Sequence, residues 1–247
     1  MPFILDEEEN ENNKKFKIKP VKYNSDATND KVLYPLPNGP SFLAFIGKPK
    51  SGKTTVMLNF LVRRAYYLKR FDKVFVFSPS IMVSLDKEHP LHELPEEQLH
   101  TELTYENLLN AMNSIYNSKK RVLFILDDVY TSFQGSILSL VAKLCFNRRH
   151  LTTKGISCWV SAQTFPQLHL KLRKNISDLF IFQTQNEREI EVIRKEFIPF
   201  LENDEFHELL DYIFDKPHNY LYLKCNFQPE DMFFKNLNAL NLKLIKR

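Results

Sequence analysis

The chain has 247 residues, a formal net charge of +4, 43% hydrophobic and 26% charged residues. That balance is ordinary for a folded globular chain and excludes global disorder. No run approaches the ~18 apolar residues of a membrane span, and the start, Met1–Leu5 followed at once by Asp6-Glu7-Glu8-Glu9, lacks the basic-then-apolar order of a secretory signal. Three cysteines far apart in sequence, Cys145, Cys158 and Cys225, argue against a disulfide framework or a zinc site and suit a reducing compartment.

Residues 1–35 read as a mobile charged tail. Five acids (Asp6, Glu7, Glu8, Glu9, Glu11) are followed by four lysines (Lys14, Lys15, Lys17, Lys19), too little apolar surface for a core. From residue 36 to 185 short apolar runs alternate with helical spacing. Strands are predicted at Phe42–Ile46, Lys73–Phe77, Arg121–Leu126, Ile156–Ser161 and Leu179–Phe182. Helices are predicted over Thr54–Lys69 and around Ile137, Val141, Leu144 and Cys145. The strands are continuous apolar runs, as expected when helices cover both faces. The expected fold is an α/β P-loop NTPase of the ASCE type, with a central, mostly parallel sheet flanked by helices. In it the first strand is central, flanked by strands ending near Asp127 and Gln163. Residues 186–247 read as two helices, a half-exposed strand at Tyr220–Cys225 and a short helix opened by Pro229, completing or appended to the core.

Gly47-Lys48-Pro49-Lys50-Ser51-Gly52-Lys53-Thr54 fits G-x-x-x-x-G-K-[ST] at every defined position. It follows a predicted strand and opens a predicted helix, the context the motif requires. Loop amides cradle phosphate oxygens and the helix N-terminus adds partial positive charge. Pro49 has no N–H, so the cradle falls to the amides of Lys50 to Thr54. Gly47, Lys50, Ser51, Gly52, Lys53, Thr54 and Thr55 are therefore the nucleotide-binding candidates. Lys53 would reach the β- and γ-phosphates of ATP, and the Thr54 hydroxyl would ligate Mg²⁺.

Val122–Leu126 runs into Asp127-Asp128. Strand C-termini are where ligands bind in open α/β sheets. Asp127 is the candidate metal acid and Asp128 the candidate base for the attacking water. The alternative is that the two acids cap the following helix. Gln163 stands where an amide can sense the γ-phosphate or orient the water; the alternative is an ordinary polar loop residue. Between Asp128 and Asp178 there is no acid but seven bases, Lys143, Arg148, Arg149, Lys154, Lys171, Arg173 and Lys174. Arg148 and Arg149 would also suit a helix C-terminus. The sharper reading has one arginine completing a neighbouring subunit's site and the other bases facing DNA phosphates. Residues 86–106, with seven acids and with His89, His92 and His100, read as a solvated acidic loop without metal-ligand spacing.

Together these residues carry a family resemblance. Gly47–Thr55, Leu123–Val129, Asn147-Arg148-Arg149-His150 ahead of Ile156–Ser161, Gln163, and Lys171–Ile176 ahead of Leu179–Phe182 span about 42 to 183. In order and spacing they resemble the viral genome-packaging ATPases of the FtsK–HerA superfamily, the poxvirus-type group of giant viruses and virophages. The resemblance implies a ring-forming homo-oligomer around double-stranded DNA, ATP hydrolysis at subunit interfaces, and loading of a viral genome into a capsid. Capsid or vertex proteins are then partners. The place is the host cytoplasm or the viral assembly site, with virion association as a further option. By position it implies Lys53 and Thr54 on nucleotide and Mg²⁺, Asp127 as metal acid, Asp128 as base, Gln163 as sensor and Arg149 as the arginine finger, with Arg148 and Arg173 as lesser candidates. Many members have Glu where this chain has Asp128, one methylene shorter, so its water must sit closer. The alternatives are a HerA-like translocase or helicase not dedicated to packaging, and a small-molecule P-loop kinase. A GTPase reading lacks its Asn-Lys-x-Asp motif.

Overall fold

The computed structural model describes residues 32–80, 91 and 93–241. Most of the expected N-terminal tail, and His89 and His92 of the acidic segment, lie outside the described residues.

Among the described residues nine strands form one sheet in the order β3-β2-β4-β5-β1-β6-β7-β8-β9. They are β1 Phe42–Ile46, β2 Lys73–Phe77, β3 Leu99–His100, β4 Val122–Leu126, β5 Ile156–Ala162, β6 Asp178–Phe182, β7 Tyr220–Lys224, β8 Phe233–Lys235 and β9 Asn238–Ala239. The first six pair in parallel; from β6 to β9 the pairing is antiparallel. The helices are α1 Lys53–Val62, α2 Tyr105–Asn113, α3 Gly135–Phe146, α4 Leu170–Arg173, α5 Glu187–Phe197 and α6 Asn203–Ile213.

All five residues of β1 are buried, and the two-residue side-chain period divides them between two cores. Phe42, Ala44 and Ile46 join the core under α2, α3, α5 and α6. Leu43 and Phe45 join the core that Met57 and Phe60 of α1 cover. Trp159 sits fully buried in the second core, with the rings of Phe45, Phe60, Tyr67 and Phe71 within 5.4–6.3 Å of it. Helices thus cover both faces, as the apolar runs require.

Several expectations change. The strand ending at Asp127 is not beside β1: β5 lies between β4 and β1, and β1 is flanked by β5 and β6. The first helix stops at Val62, with Arg63 extended. The chain then folds back so that Tyr67 is buried at 5% exposure and donates its hydroxyl to Pro37 O at 2.8 Å. The apparent helical spacing of Ala65 and Leu68 belongs to that turn, where both are exposed. β7 is not half exposed: all five residues are buried. On one face Tyr222 lies flat on Phe180, 4.4 Å between centroids, and Tyr220 packs on Phe182 at 5.3 Å; on the other, Leu221 and Leu223 join the core under α2, α3, α5 and α6. Within the acidic segment, Leu99–His100 pairs with β2 as an edge strand, and the His100 ring stacks on Phe77 at 4.6 Å. The short helix at Pro229 is a single turn, Pro229–Asp231, leading into β8.

The Tyr222 hydroxyl lies 2.6 Å from the buried Asp178 carboxylate. Burial pushes the Asp178 carboxyl up. The Tyr222 and Ser177 hydrogen bonds and the Lys224 and Arg148 charges only partly oppose it. A carboxyl that holds its proton more tightly when folded adds stability that is full below the unfolded value of about 3.9. That stability is lost as pH rises through the raised folded value. Asp178→Asn removes this titration. In urea unfolding, the variant is expected to gain on the wild type between pH 4 and pH 7; a pH-independent difference would contradict the raised carboxyl.

Candidate active site

The P-loop leaves β1 at its C-terminal edge, where Gly47 N donates to Ala162 O of β5 at 3.1 Å. Glycine is required there: a Cβ at Gly47 would stand 2.6 Å from Phe182 Cβ. The loop then turns through two left-handed residues, Lys50 at φ 64° and Gly52 at φ 107°, before α1 begins at Lys53. Glycine adopts the second of these without strain. Lys53 is nearly buried, and its ammonium lies across the loop, donating to Gly47 O at 2.6 Å and Lys48 O at 3.2 Å. Lys50, Ser51, Gly52, Lys53, Thr54, Thr55, Asp128 and His218 line one cleft of about 510 Å³, room for a nucleotide-sized ligand.

Thr54, Asp127 and Asp128 come together at this edge. The Thr54 hydroxyl lies 3.4 Å from Asp127 Oδ2, as does the Ser78 hydroxyl. Ser161 of β5 donates to Asp127 Oδ1 at 2.5 Å, and its oxygen accepts the Asp128 N–H at 2.9 Å. β5, which lies between β4 and β1, therefore holds both acids in place through one hydroxyl. Burial pushes the Asp127 carboxyl up, and the neighbouring Asp128 adds to this. The Ser161 and Thr54 bonds and the Lys53 charge pull the other way. Asp128 stands at φ 53° and is exposed. Aspartate tolerates that left-handed conformation better than most residues, and it turns the carboxylate into the cleft.

Thr54 and Asp127 offer only hard oxygens. Neighbouring ligands of an octahedral Mg²⁺ stand about 3 Å apart, which the 3.4 Å separation nearly meets. Among the described residues no three His, Cys, Asp or Glu side chains gather to hold a metal. An ion at Thr54 and Asp127 would complete its shell with phosphate and water, the usual manner of Mg²⁺.

Gln163 follows β5 at the same edge, half exposed, but does not line the cleft. The loop it starts is anchored by the buried Glu189, which accepts the Phe165 N–H and the Thr184 hydroxyl. The arginines lie elsewhere. Arg148 O accepts from Ile156 N, the first residue of β5, so Arg148 and Arg149 sit at the opposite edge of the sheet. Six residue steps along β5 amount to about 20 Å. The Arg148 guanidinium turns back to Cys145 O at 2.9 Å, and burial lowers its pKa. Arg149 is exposed. Arg173 pairs with Glu196 at 2.6 Å and lies 5.0 Å over the Phe165 ring. None of the three lines this chain's own cleft.

Three contributors escaped the sequence reading: Ser161, Ser78 and His218. Ser161 is a hydroxyl that directly follows the apolar Cys158-Trp159-Val160, two residues before Gln163, a signal that is visible once sought. Ser78 directly follows β2, at the edge where ligands bind. His218 carries no local signal. Its Nδ1 lies 3.2 Å from Ser51 O, across 167 residues of sequence.

No protein-family model matches the chain, and neither does any curated protein sequence. Among solved structures the chain is similar to B204, the DNA-packaging ATPase of Sulfolobus turreted icosahedral virus. The TM-score is 0.58 at 14% identity, over 81% of this chain and 99% of that one. It is similar also to the genome-packaging NTPase B204 of Sulfolobus turreted icosahedral virus 2 in complex with ATPγS, at TM-score 0.57 and 14% identity over 81% and 98%. A third similar structure is the pCW3 conjugation coupling protein TcpA, at TM-score 0.56 and 12% identity over 81% and 60%. These likenesses establish the P-loop NTPase fold.

Proposed function

We propose that this chain is an ATP-hydrolysing motor that drives double-stranded DNA into a viral capsid, as a ring of identical subunits in the host cytoplasm or at the assembly site. The observation that carries the reading is the meeting of Thr54 and Asp127, 3.4 Å apart, with Asp128 beside them in the P-loop cleft. The similarity to two packaging NTPases supports the cargo; the similarity to a conjugation coupling protein favours, as second reading, a translocase outside packaging.

In this account the amides of Lys50 to Thr54 hold the phosphate chain. Lys53 leaves the Gly47 and Lys48 carbonyls for the β- and γ-phosphate oxygens. Asp128 takes the proton of the attacking water on a carboxylate oxygen; Gln163, which follows β5 at this edge without lining the cleft, would orient that water by turning toward it when nucleotide is bound. Thr54 and Asp127 would hold Mg²⁺, which when bound neutralises charge on the β- and γ-phosphates. Arg149, about 20 Å from its own cleft by strand length, would act only on a neighbour's. Lys143, Lys154, Lys171 and Lys174 are exposed and would meet DNA phosphates, with affinity falling steeply as salt rises.

The test is displacement of a third strand from a duplex–triplex substrate. ATP-dependent displacement, absent with a non-hydrolysable analogue, is expected. Phosphate transfer to a metabolite, without displacement at any duplex length, would overturn the motor reading in favour of a small-molecule kinase. Displacement that purified capsids neither stimulate nor bind would favour the second reading.

A further inference from the structure

Across the C-terminal edge of the sheet, the strand order β4-β5-β1-β6-β7 puts the P-loop in the middle. The acids after β4 lie two strands to one side, and the turn before β7 lies two strands to the other. At about 4.8 Å per strand step, each is about 10 Å from the P-loop strand. A nucleoside triphosphate held by the loop, with its terminal phosphate toward Asp128, extends its nucleoside half toward the second turn.

His218 occupies that turn. It lines the same cleft as Ser51, Gly52 and Asp128, and its Nδ1 is 3.6 Å from where a Gly52 Cβ would stand. Its Nδ1 contact at 3.2 Å is with the Ser51 carbonyl. A carbonyl only accepts, so Nδ1 carries the proton, and Nε2 of the neutral ring is left with a lone pair. An acceptor is the wrong partner for a phosphate oxygen and the right one for an O–H or N–H.

The turn is braced well beyond the needs of a surface histidine. Asn219 Nδ2 donates to Asp215 Oδ1 at 2.8 Å, and Asn236 Nδ2 donates to Asn219 Oδ1 at 3.0 Å. Tyr220 N donates to Asn236 Oδ1 at 3.1 Å, and Lys235 pairs with Asp215 at 2.7 Å. His218 itself is held at φ 66°. The end of β8 thus braces the turn before β7, which holds one imidazole against the P-loop.

We propose that His218 recognises the nucleoside half of the bound nucleotide, its Nε2 accepting a hydrogen bond from a ribose hydroxyl or from the exocyclic amine of the base. This rests on the nucleotide-binding reading of the cleft. It assigns the turn between α6 and β7 a role in substrate selection.

The experiment is equilibrium binding of ATP and of inorganic tripolyphosphate to the full chain, as wild type, His218→Gly and Lys53→Ala. Glycine suits φ 66° without strain; His218→Ala and thermal melting of each variant control for the turn. His218→Gly is expected to weaken ATP about five- to tenfold, the loss of one hydrogen bond. Tripolyphosphate should bind unchanged. In turnover, KM for ATP rises while kcat holds, the mark of binding common to ground and transition states. 2′-Deoxy-ATP, 3′-deoxy-ATP and a purine riboside triphosphate without the amine then identify the donor. The analogue that lacks it binds the wild type more weakly and is insensitive to His218→Gly. Equal weakening of ATP and tripolyphosphate would overturn the proposal, since the ring would then only support the loop. Unchanged ATP affinity, or equal sensitivity of every analogue, would overturn it too. ATP binding indifferent to Lys53→Ala would instead defeat the nucleotide-site reading itself.

Discussion

Asp128→Asn is expected to leave ATP bound and to cut phosphate release by about 10²–10⁴-fold, the usual worth of a positioned general base. The substitution is nearly isosteric. Asparagine tolerates the left-handed conformation at φ 53° as well as aspartate does, and the backbone N–H keeps its bond to Ser161 Oγ at 2.9 Å. What changes is the proton acceptor facing the cleft. Asp127, on the buried side with Ser161 and Thr54, is untouched, so metal and nucleotide binding should persist. Single-turnover phosphate release at saturating ATP, beside equilibrium binding, separates the two. An unchanged rate would remove Asp128 from the chemistry.

Lys53→Ala is expected to lower the rate by about 10²–10³-fold, as when a preorganised charge is removed from developing anionic oxygens, and to weaken ATP as well. The fold should tolerate it. The lysine's partners are two loop carbonyls, Gly47 O and Lys48 O; the loss of these charged hydrogen bonds, about 1.5–3 kcal/mol each, is offset by no longer burying an ammonium without a counter-charge. The melting temperature of the free protein is therefore expected to move little. The stabilisation by ATP, about 2.7 kcal/mol at a hundredfold excess over Kd, should disappear. A variant still protected by ATP would contradict the placement of Lys53 on the phosphates.

Why one half of this site could be read from sequence and the other could not follows from the range of the interactions. The P-loop is contiguous: one stretch supplies its turn glycines, its lysine, its threonine and the helix start at Lys53. β1 and β2 have the expected bounds because each is an apolar run broken at both ends by residues unsuited to it, such as Gly47 and Ser78-Pro79. The order of strands is another matter. β4 and β5 are both buried apolar strands, and nothing local says which neighbours β1. Ser161, 34 residues from the Asp127 it holds, acts only because β5 takes that place. The overrun of α1 to Lys69 has a similar cause. Tyr67 leaves the helix for a place against Trp159, a contact 92 positions away in sequence. His218, β8 and β9 lie in a segment without motif, where short antiparallel strands and a braced turn acquire meaning only from what they pack against.

The arginines divide by their place in the fold. The Arg148 guanidinium turns to Cys145 O and Arg173 pairs with Glu196. Arg149 is exposed at the edge opposite the cleft, so its assignment concerns a second subunit. Phosphate release from ATP against protein concentration, with and without duplex DNA, for wild type and Arg149→Ala, tests the account most directly. A ring motor with shared sites gives a rate that climbs steeply with concentration and rises with DNA, and Arg149→Ala lowers it by about 10³–10⁵-fold. A flat rate, indifferent to DNA and to the substitution, would contradict the account and describe a monomeric P-loop enzyme acting on another acceptor.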